Sequence, residues 1–308
     1  MTEENRLADK NGVLVVGGGF IGTAAARTLA SCGHPVSVLT RAPAPLVLDN
    51  INWIYGSTDY PHLTDLLQGV GAVICASGTI APGTKIESVA AALSHDLIPV
   101  VRLAERAAES GVRRLIFISS GGTVYGQTVP IPTPESACTA PINTYGLVKV
   151  VSECALLDVA RRTDLSVTIL RVSNPYGPGQ IGNRQLGFVG AAIHAALNGT
   201  VLTIWGDGLI TRDFVFIDDL TRAIALAVTT DSHSSVLNIG SGVGTSLIEV
   251  CAMVGRATGK EICVAFEKDR SVDVKFSTLD IVRAGEVLGW RPEVNLKGGI
   301  SRTATQLI

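Results

Sequence analysis

The sequence predicts an α/β fold, a parallel sheet wound on both faces by helices, and three observations carry that expectation. An apolar run near the start, Val13-Leu14-Val15-Val16, breaks into Gly17-Gly18-Gly19-Phe20-Ile21-Gly22 and continues as the alanine-rich stretch 23–30. Apolar runs of strand length then alternate with longer amphipathic stretches, the rhythm of β-α-β units. After the fifth run the residues turn small and hydroxylated, Ser119-Ser120-Gly121-Gly122-Thr123-Val124-Tyr125-Gly126, at the strand end that faces the ligand crevice in an open sheet.

Composition sets the outer bounds. The 308 residues are enough for one large or two interlocked domains. Formal net charge is −2, without a basic cluster, which argues against a nucleic-acid surface. The first ten residues are polar and no apolar run has the length of a secretory core or a membrane span, so the expected location is the cytoplasm and no membrane partner is expected. Six cysteines are scattered without C-x-x-C spacing and five histidines are dispersed. Neither a disulfide framework nor a metal site is predicted.

The first strand, turn and helix read as a dinucleotide-binding unit. Gly17 permits the tight turn, Gly19 lets backbone approach a pyrophosphate, and Gly22 lets the helix pack closely on the strand. Free N–H groups at the helix start, from Phe20 and Ile21 onward, then face an anion. Gly33 ends the helix and Val36-Ser37-Val38-Leu39 forms the second strand, closing on Thr40-Arg41. An acid at this strand end bonds the ribose 2′-hydroxyl of NAD, whereas a cation accommodates the 2′-phosphate of NADP. With Thr40 in place of an acid, Arg41 favours NADP, or it is a solvated surface arginine.

Residues 51–55 read as the third strand, with Ser57 and Thr58 just beyond it, 61–68 as a short helix, and 72–76 as the fourth strand, delivering Ala76 and Ser77 to the same edge. A longer helical region covers roughly 85–110 and Gly111 ends it; the fifth strand is 114–120. After a proline-rich loop, Asn143-Thr144-Tyr145-Gly146-Leu147-Val148-Lys149 opens a helix that continues to about residue 162. Tyr145 and Lys149, four apart, share a helical face. An ammonium near a phenol favours the phenolate, so the pair can serve as general base and acid on a hydroxyl or carbonyl. Alone, such a pair is as readily two surface residues.

At this point the chain resembles the extended short-chain dehydrogenase/reductases of the nucleotide-sugar epimerase and dehydratase type. The motifs VVGGGFIG, SSGGTVYG, YGLVK, RVSNPYGPG, GDGLITRDFVFIDDL and LGWRP occur in that family's order over nearly the whole length. The resemblance implies a Rossmann domain over 1–173 and about 212–240, and a substrate-binding lobe over about 174–211 and 241–308. It implies Tyr145 and Lys149 as catalytic residues, Lys149 also touching the nicotinamide ribose. Asn174, Arg212 and Arg270 are implied to bind the substrate diphosphate. The implied cofactor is NAD, the implied assembly a homodimer, and the implied reaction 4-epimerisation of a nucleotide sugar, most simply UDP-linked, through a transient ketone. An NADPH-dependent 4-ketoreductase and a catalytically silent dinucleotide-binding regulator stand as alternatives. Read without the resemblance, Asn174-Pro175 is a turn former, Arg212-Asp213 a structural ion pair and LGWRP a structural closure.

Three departures stand out. Thr40 and Ser57 occupy positions where relatives carry acids that face the cofactor. Gly121 falls where the catalytic serine or threonine of relatives stands, so Ser120 or Thr123 must supply the hydroxyl. His95-Asp96 lies near a structural asparagine of relatives, and neither residue receives a role. The Asp-Glu pair of dehydratases is matched by Gly122 and Thr123, so elimination lacks its acid and base.

Overall fold

The glycine-broken run near the start folds as β1 (Gly12–Val16) and α1 (Phe20–Ser31) in the computed structural model, which describes residues 11–41, 50–58, 62–80, 86, 88–127, 131–180, 187–231, 233–269 and 274–306. β2 (Val36–Thr40) and β3 (Ile51–Tyr55) follow, then a single turn α2 (Leu63–Leu66) and β4 (Val70–Cys75). The expected helix over 61–68 is cut short where Gly69 takes a positive φ of 73°. The long helical region resolves into α3 (Val89–Ala92), a π-helical turn (Leu93–Leu97) and α4 (Ile98–Glu109). β5 (Arg114–Ser120), α5 (Thr144–Arg162) and β6 (Ser166–Val172) come next.

β7 (Asn174–Tyr176) is a strand, not the turn that an Asn-Pro pair suggests. It pairs in parallel with β9 (Thr211–Phe216), after α6 (Phe188–Asn198) and β8 (Leu202–Trp205). α7 (Ile217–Thr229) carries Asp218 and Asp219 in its first turn, where negative charge suits the helix start. The remaining elements are β10 (Ser235–Ile239), β11 (Gly244–Ser246), α8 (Leu247–Thr258), β12 (Val264–Glu267), β13 (Phe276–Ser277), α9 (Val282–Leu288) and α10 (Leu296–Thr305). Ser246 and Glu249 form a reciprocal capping box that starts α8.

Seven strands form one sheet in the order β10-β6-β5-β4-β1-β2-β3. β1 runs parallel to β2 and β4, β2 to β3, and β4 to β5. This is the 3-2-1-4-5-6 order of a doubly wound sheet, whose direction of growth reverses between β1 and β4. The fold class read from the sequence is therefore the one observed. Strands buried on both faces need apolar side chains throughout, and β1, β4 and β5 supply them. Leu14, Val73 and Leu115 are fully buried there with Leu103 of α4 and Leu156 of α5. Each such side chain contributes about 1.5–3 kcal/mol relative to exposure.

By contacts the chain divides into two units. The first comprises the described residues within Met1–Ser119, Leu147–Leu170 and Thr221–Val236; the second, those within Ser120–Gly146, Arg171–Leu220 and Leu237–Ile308. In the second unit β9 is flanked by antiparallel β11 and by parallel β7 and β13, and β12 pairs in parallel with β8. Trp290 of the LGWRP stretch is completely buried, and its indole donates to the Asp219 carbonyl at 2.9 Å. The Asp219 carboxylate accepts the N–H groups of Glu293 and Val294 at 3.0 and 2.9 Å.

Candidate active site

In the first unit the turn after β1 is pressed against the end of β4. Gly17 N–H donates to the Leu39 carbonyl and Ala76 N–H to the Val16 carbonyl, both at 2.9 Å. Gly17 has φ 112°, and a Cβ there would lie 2.8 Å from the Ala76 carbonyl and from Ser77 N. A Cβ on Gly22 would run into the Gly17 carbonyl oxygen, which is why α1 can begin so close beneath the strand. Gly18 is closed off by Thr40, whose Oγ1 would stand 2.7 Å from an added Cβ. Gly19 differs from all three: nothing lies within 4 Å of the space its Cβ would take. Gly19 is also the N-cap of α1 and offers no side chain to the helix, so the first-turn N–H groups at Phe20 and Ile21 lack a side-chain cap. Open room beside uncapped donors at a helix start is what a diphosphate fits.

Neighbouring strand ends extend this surface. Thr40 is buried, Arg41 is exposed, and the Thr40 carbonyl accepts from Gly56 N–H at 2.8 Å. Ser57, Thr58, Ala76 and Ser77 are half-buried. Burial pushes the Cys75 thiol up, although the Lys149 charge and the Ser77 hydroxyl at 3.8 Å pull the other way. Asp96, without a role in the sequence reading, sits in the π-helical turn and binds the loop that follows Ser77. Its carboxylate accepts Thr79 N–H at 2.8 Å, the Thr79 hydroxyl at 2.5 Å and Ile80 N–H at 3.2 Å.

Lys149 lies in the second turn of α5. Its ammonium donates to the Ile118 carbonyl at 2.9 Å and stands 4.7 Å from the centre of the Phe117 ring, so it is held at the carboxyl end of β5. Sequence reasoning passed over Glu153, one turn further along α5. That residue is buried and accepts a hydrogen bond from Ser119. Its spacing was the available signal: Tyr145, Lys149 and Glu153 repeat every fourth residue.

In the second unit, half-buried Tyr145 opens α5, where Asn143 Oδ1 accepts Gly146 N–H at 2.8 Å. A Cβ on Gly146 would stand 2.7 Å from the Thr123 carbonyl, so this first turn rests directly on the hydroxyl-bearing segment. Thr123 donates to Ser120 Oγ at 2.9 Å, and both side chains are buried. That bond leaves the Ser120 proton available for an outside acceptor.

The missing hydroxyl at Gly121 has a steric cause. Gly121 N–H donates to the Val172 carbonyl at 2.7 Å, and a Cβ would meet Leu279 Cδ1 at 2.5 Å and the Arg171 carbonyl at 2.9 Å. A leucine tip can move, but a strand carbonyl cannot without disturbing β6. Gly121→Ser is thus expected to cost about 1–3 kcal/mol by overpacking and to bring no gain in turnover. Urea unfolding and initial rates measure both, and a stable, faster variant would refute this account of the turn.

Asn174 and Ser277 adjoin the same turn: from a Cβ on Gly122 they would be 3.9 and 4.0 Å away. Asn174 Nδ2 donates to the Asp213 carbonyl at 2.9 Å, which ties β7 to β9. Arg212, on β9, is half-buried opposite Ser277 of β13 and Thr245 of β11, and its Nη1 donates to the Thr211 carbonyl at 3.0 Å. Asp213 is fully buried. Its carboxylate accepts Ser241 N–H at 2.6 Å, the Ser241 hydroxyl at 2.8 Å, Gly242 N–H at 3.1 Å and Leu279 N–H at 3.2 Å. Burial raises its pKa against the pull of those bonds. Arg270 lies outside the described residues.

A buried network backs the TVYG stretch. The Tyr125 hydroxyl donates to Asn238 Oδ1 at 2.7 Å and accepts from Arg171 at 3.0 Å. Burial lifts the Tyr125 pKa, with the Arg171 charge opposing. Among the described residues, no group of three or more His, Cys, Asp or Glu side chains could hold a metal ion, and no helix is long and apolar enough to cross a membrane.

The model of the NAD dependent epimerase/dehydratase family matches residues 13–240. A UDP-glucose 4-epimerase of Mycolicibacterium smegmatis is 38% identical over 208 residues, 68% of this chain and 66% of that protein. A dTDP-4-dehydro-6-deoxyglucose reductase of Escherichia coli is 29% identical over 96% of this chain and 97% of that one. Among solved structures, MoeE5 in complex with UDP-glucose and NAD is 32% identical and superposes with a TM-score of 0.88, over 96% of this chain and 98% of that chain.

Proposed function

Because the chain belongs to the NAD dependent epimerase/dehydratase family, we propose that it is an NAD(P)-dependent 4-epimerase of nucleotide sugars, with UDP-hexoses as its substrate class. One observation carries the reading. The helix that bears Tyr145 also bears Lys149, and the Lys149 ammonium is fixed 2.9 Å from the Ile118 carbonyl at the carboxyl end of β5, the edge where a doubly wound sheet takes its ligand.

Gly17, Gly19, Phe20, Ile21 and Gly22 would hold the cofactor diphosphate. Arg41, Ser57 and Thr58 would face its adenosine half, and Ala76, Ser77 and Lys149 its nicotinamide half. When bound, the nicotinamide supplies reversible hydride exchange at C4 of the sugar. Tyr145 takes the proton of the C4 hydroxyl and returns it once the opposite face has been presented. Ser120, oriented by Thr123, donates to the C4 oxygen; its proton is the one that the Thr123 bond leaves uncommitted. Asn174, Arg212 and Arg270 would grip the diphosphate, guanidinium forks each bonding two oxygens, so that the hexose can turn while its anchor stays fixed. The first contact unit thus serves the cofactor and the second the sugar nucleotide. We place the enzyme in the cytoplasm as a homodimer through the helical faces of 90–108 and 150–159, which sedimentation at micromolar concentration checks.

A 4-ketoreductase is the second reading, favoured by exposed Arg41 and by the likeness to the E. coli reductase. Stoichiometry separates the two. Incubation with UDP-hexoses, and separately with a 4-keto sugar nucleotide plus NADPH, is followed at the nicotinamide absorbance band. Exchange of C4 epimers without net change in reduced cofactor is expected. One cofactor oxidised per ketone reduced, with no epimer exchange, would establish the reductase.

Arg41 decides the cofactor. With no acid at Thr40 to repel a 2′-phosphate, NADPH should bind at least as tightly as NADH, and Arg41→Ala should weaken NADPH about tenfold by removing a charge-assisted contact while sparing NADH. Fluorescence titration with both reduced cofactors measures this. A preference for NADH that is unchanged in the variant would show that Arg41 is only solvated.

A further inference from the structure

We propose that Glu153 is a positioning residue for Lys149, acting through Ser119. This deepens the proposed function, since it rests on Lys149 as the partner of Tyr145 and of the cofactor. Glu153 and Ser119 are each only 3% exposed, and the Ser119 hydroxyl donates a hydrogen bond to Glu153 Oε1. One turn earlier on α5, Lys149 donates to the carbonyl of Ile118, the residue that precedes Ser119. Consecutive residues of β5 therefore hold consecutive turns of α5, one bond through the lysine and one through the glutamate.

A lysine ammonium rides on a flexible four-carbon stem, so its position depends on where its helical turn is seated. Apolar packing of Leu156 and Val159 seats the helix on the sheet, and the Ile118 bond ties the lysine turn at one level of β5. The Ser119–Glu153 bond adds a second polar tie at the next level and helps keep the ammonium over the Phe117 ring. Packing does not account for a carboxyl group at this place. A leucine would fill similar volume without the desolvation that a buried acid suffers.

The test uses Glu153→Ala, Glu153→Gln, Ser119→Ala and the Ser119/Glu153 double alanine variant of the full chain, each checked for a cooperative unfolding transition. Glu153→Ala is expected to lower kcat at least tenfold with KM for the UDP-hexose within about threefold, because the diphosphate anchors lie on other elements. It should also weaken reduced-cofactor binding about fivefold by fluorescence titration, a reading that needs no turnover. Glu153→Gln keeps an acceptor for Ser119 and should recover both quantities to within about threefold of the natural chain. The double variant should be no worse than Glu153→Ala, since both changes break the same bond.

A folded Glu153→Ala protein with normal kcat and cofactor affinity would overturn the proposal. So would a glutamine variant as impaired as the alanine one, or losses that multiply in the double variant. Should Glu153→Ala fail to fold, Ser119→Ala carries the same two readings with less lost volume. If the natural chain turns over no UDP-hexose, the proposed function fails, while the titration still decides the role of Glu153.

Discussion

Tyr145→Phe is expected to lower kcat for sugar interconversion by about three orders of magnitude, the middle of the range for losing a general base, and to leave cofactor affinity within about twofold of the natural chain. The ring and its packing survive the change, so stability stays within about 0.5 kcal/mol, as for a surface or half-buried substitution that makes no cavity. The loss should fall on kcat rather than KM, because in the proposed function the phenol acts on the C4 proton while the diphosphate anchors the sugar nucleotide. Steady-state rates with a UDP-hexose, beside fluorescence titration of reduced cofactor, give the split. Undiminished turnover would remove Tyr145 from the chemistry. Cofactor binding without turnover in the natural chain itself would leave the silent dinucleotide-binding regulator as the better description.

The largest expected effect on stability is at Asp213. Its carboxylate collects three backbone N–H groups and one hydroxyl from two separate segments, Ser241-Gly242 and Leu279. Gly240 packs so tightly that a Cβ there would lie 2.5 Å from Asp213 Oδ2, so the carboxylate is closed in on that side as well. Each buried donor left without an acceptor costs about 1–3 kcal/mol. Asp213→Ala should therefore remove at least about 4 kcal/mol, much of the 5–15 kcal/mol that holds a typical domain folded. The measurement is urea unfolding, or the soluble fraction if the variant does not accumulate. Asp213→Asn should fall between the two, because its amide oxygen still accepts while its NH2 group faces donors. An alanine variant within about 1 kcal/mol of the natural chain would mean that the loops close on one another without the acid.

Much of the sheet was legible in the sequence because its strands are buried on both faces. Such strands need near-continuous apolar runs, and 13–16, 36–39 and 114–120 fold within a residue or so of where those runs lie; the edge strand 51–55, exposed at Asn52 and Tyr55, also folds where it was read. Two short strands of the second unit were hidden for the opposite reason. Thr211–Phe216 begins with Thr-Arg-Asp, and Asn174–Tyr176 carries a proline, so neither has the composition of a strand until its partner is known. The glycine turn could be read residue by residue, since local geometry dictates it: Gly17 needs its positive φ and Gly22 its close approach. Gly121 could only be noted as a gap. The atoms that explain it belong to Arg171 and Leu279, far along the chain, and no local pattern reports a long-range contact. Glu153 escaped notice because a single acid in a helix looks solvated; its spacing from Tyr145 and Lys149 was the one hint in the sequence, and its burial is what shows otherwise.

The interleaving of the two contact units bears on how the chain is made. The first unit draws its last segment from Thr221–Val236, after two of the three segments of the second have been synthesised. On a ribosome, then, the strands 12–16, 70–75 and 114–120 emerge long before the segment that completes their unit. Folding must wait for pairings distant in sequence, which slows it and keeps apolar strand edges open to neighbours. A nascent chain arrested before residue 236 should accordingly be held by chaperones that bind exposed apolar strands and should be cut by protease within unit 1, whereas a chain extended past that point has every segment of unit 1 and lacks only Leu237–Ile308 of unit 2.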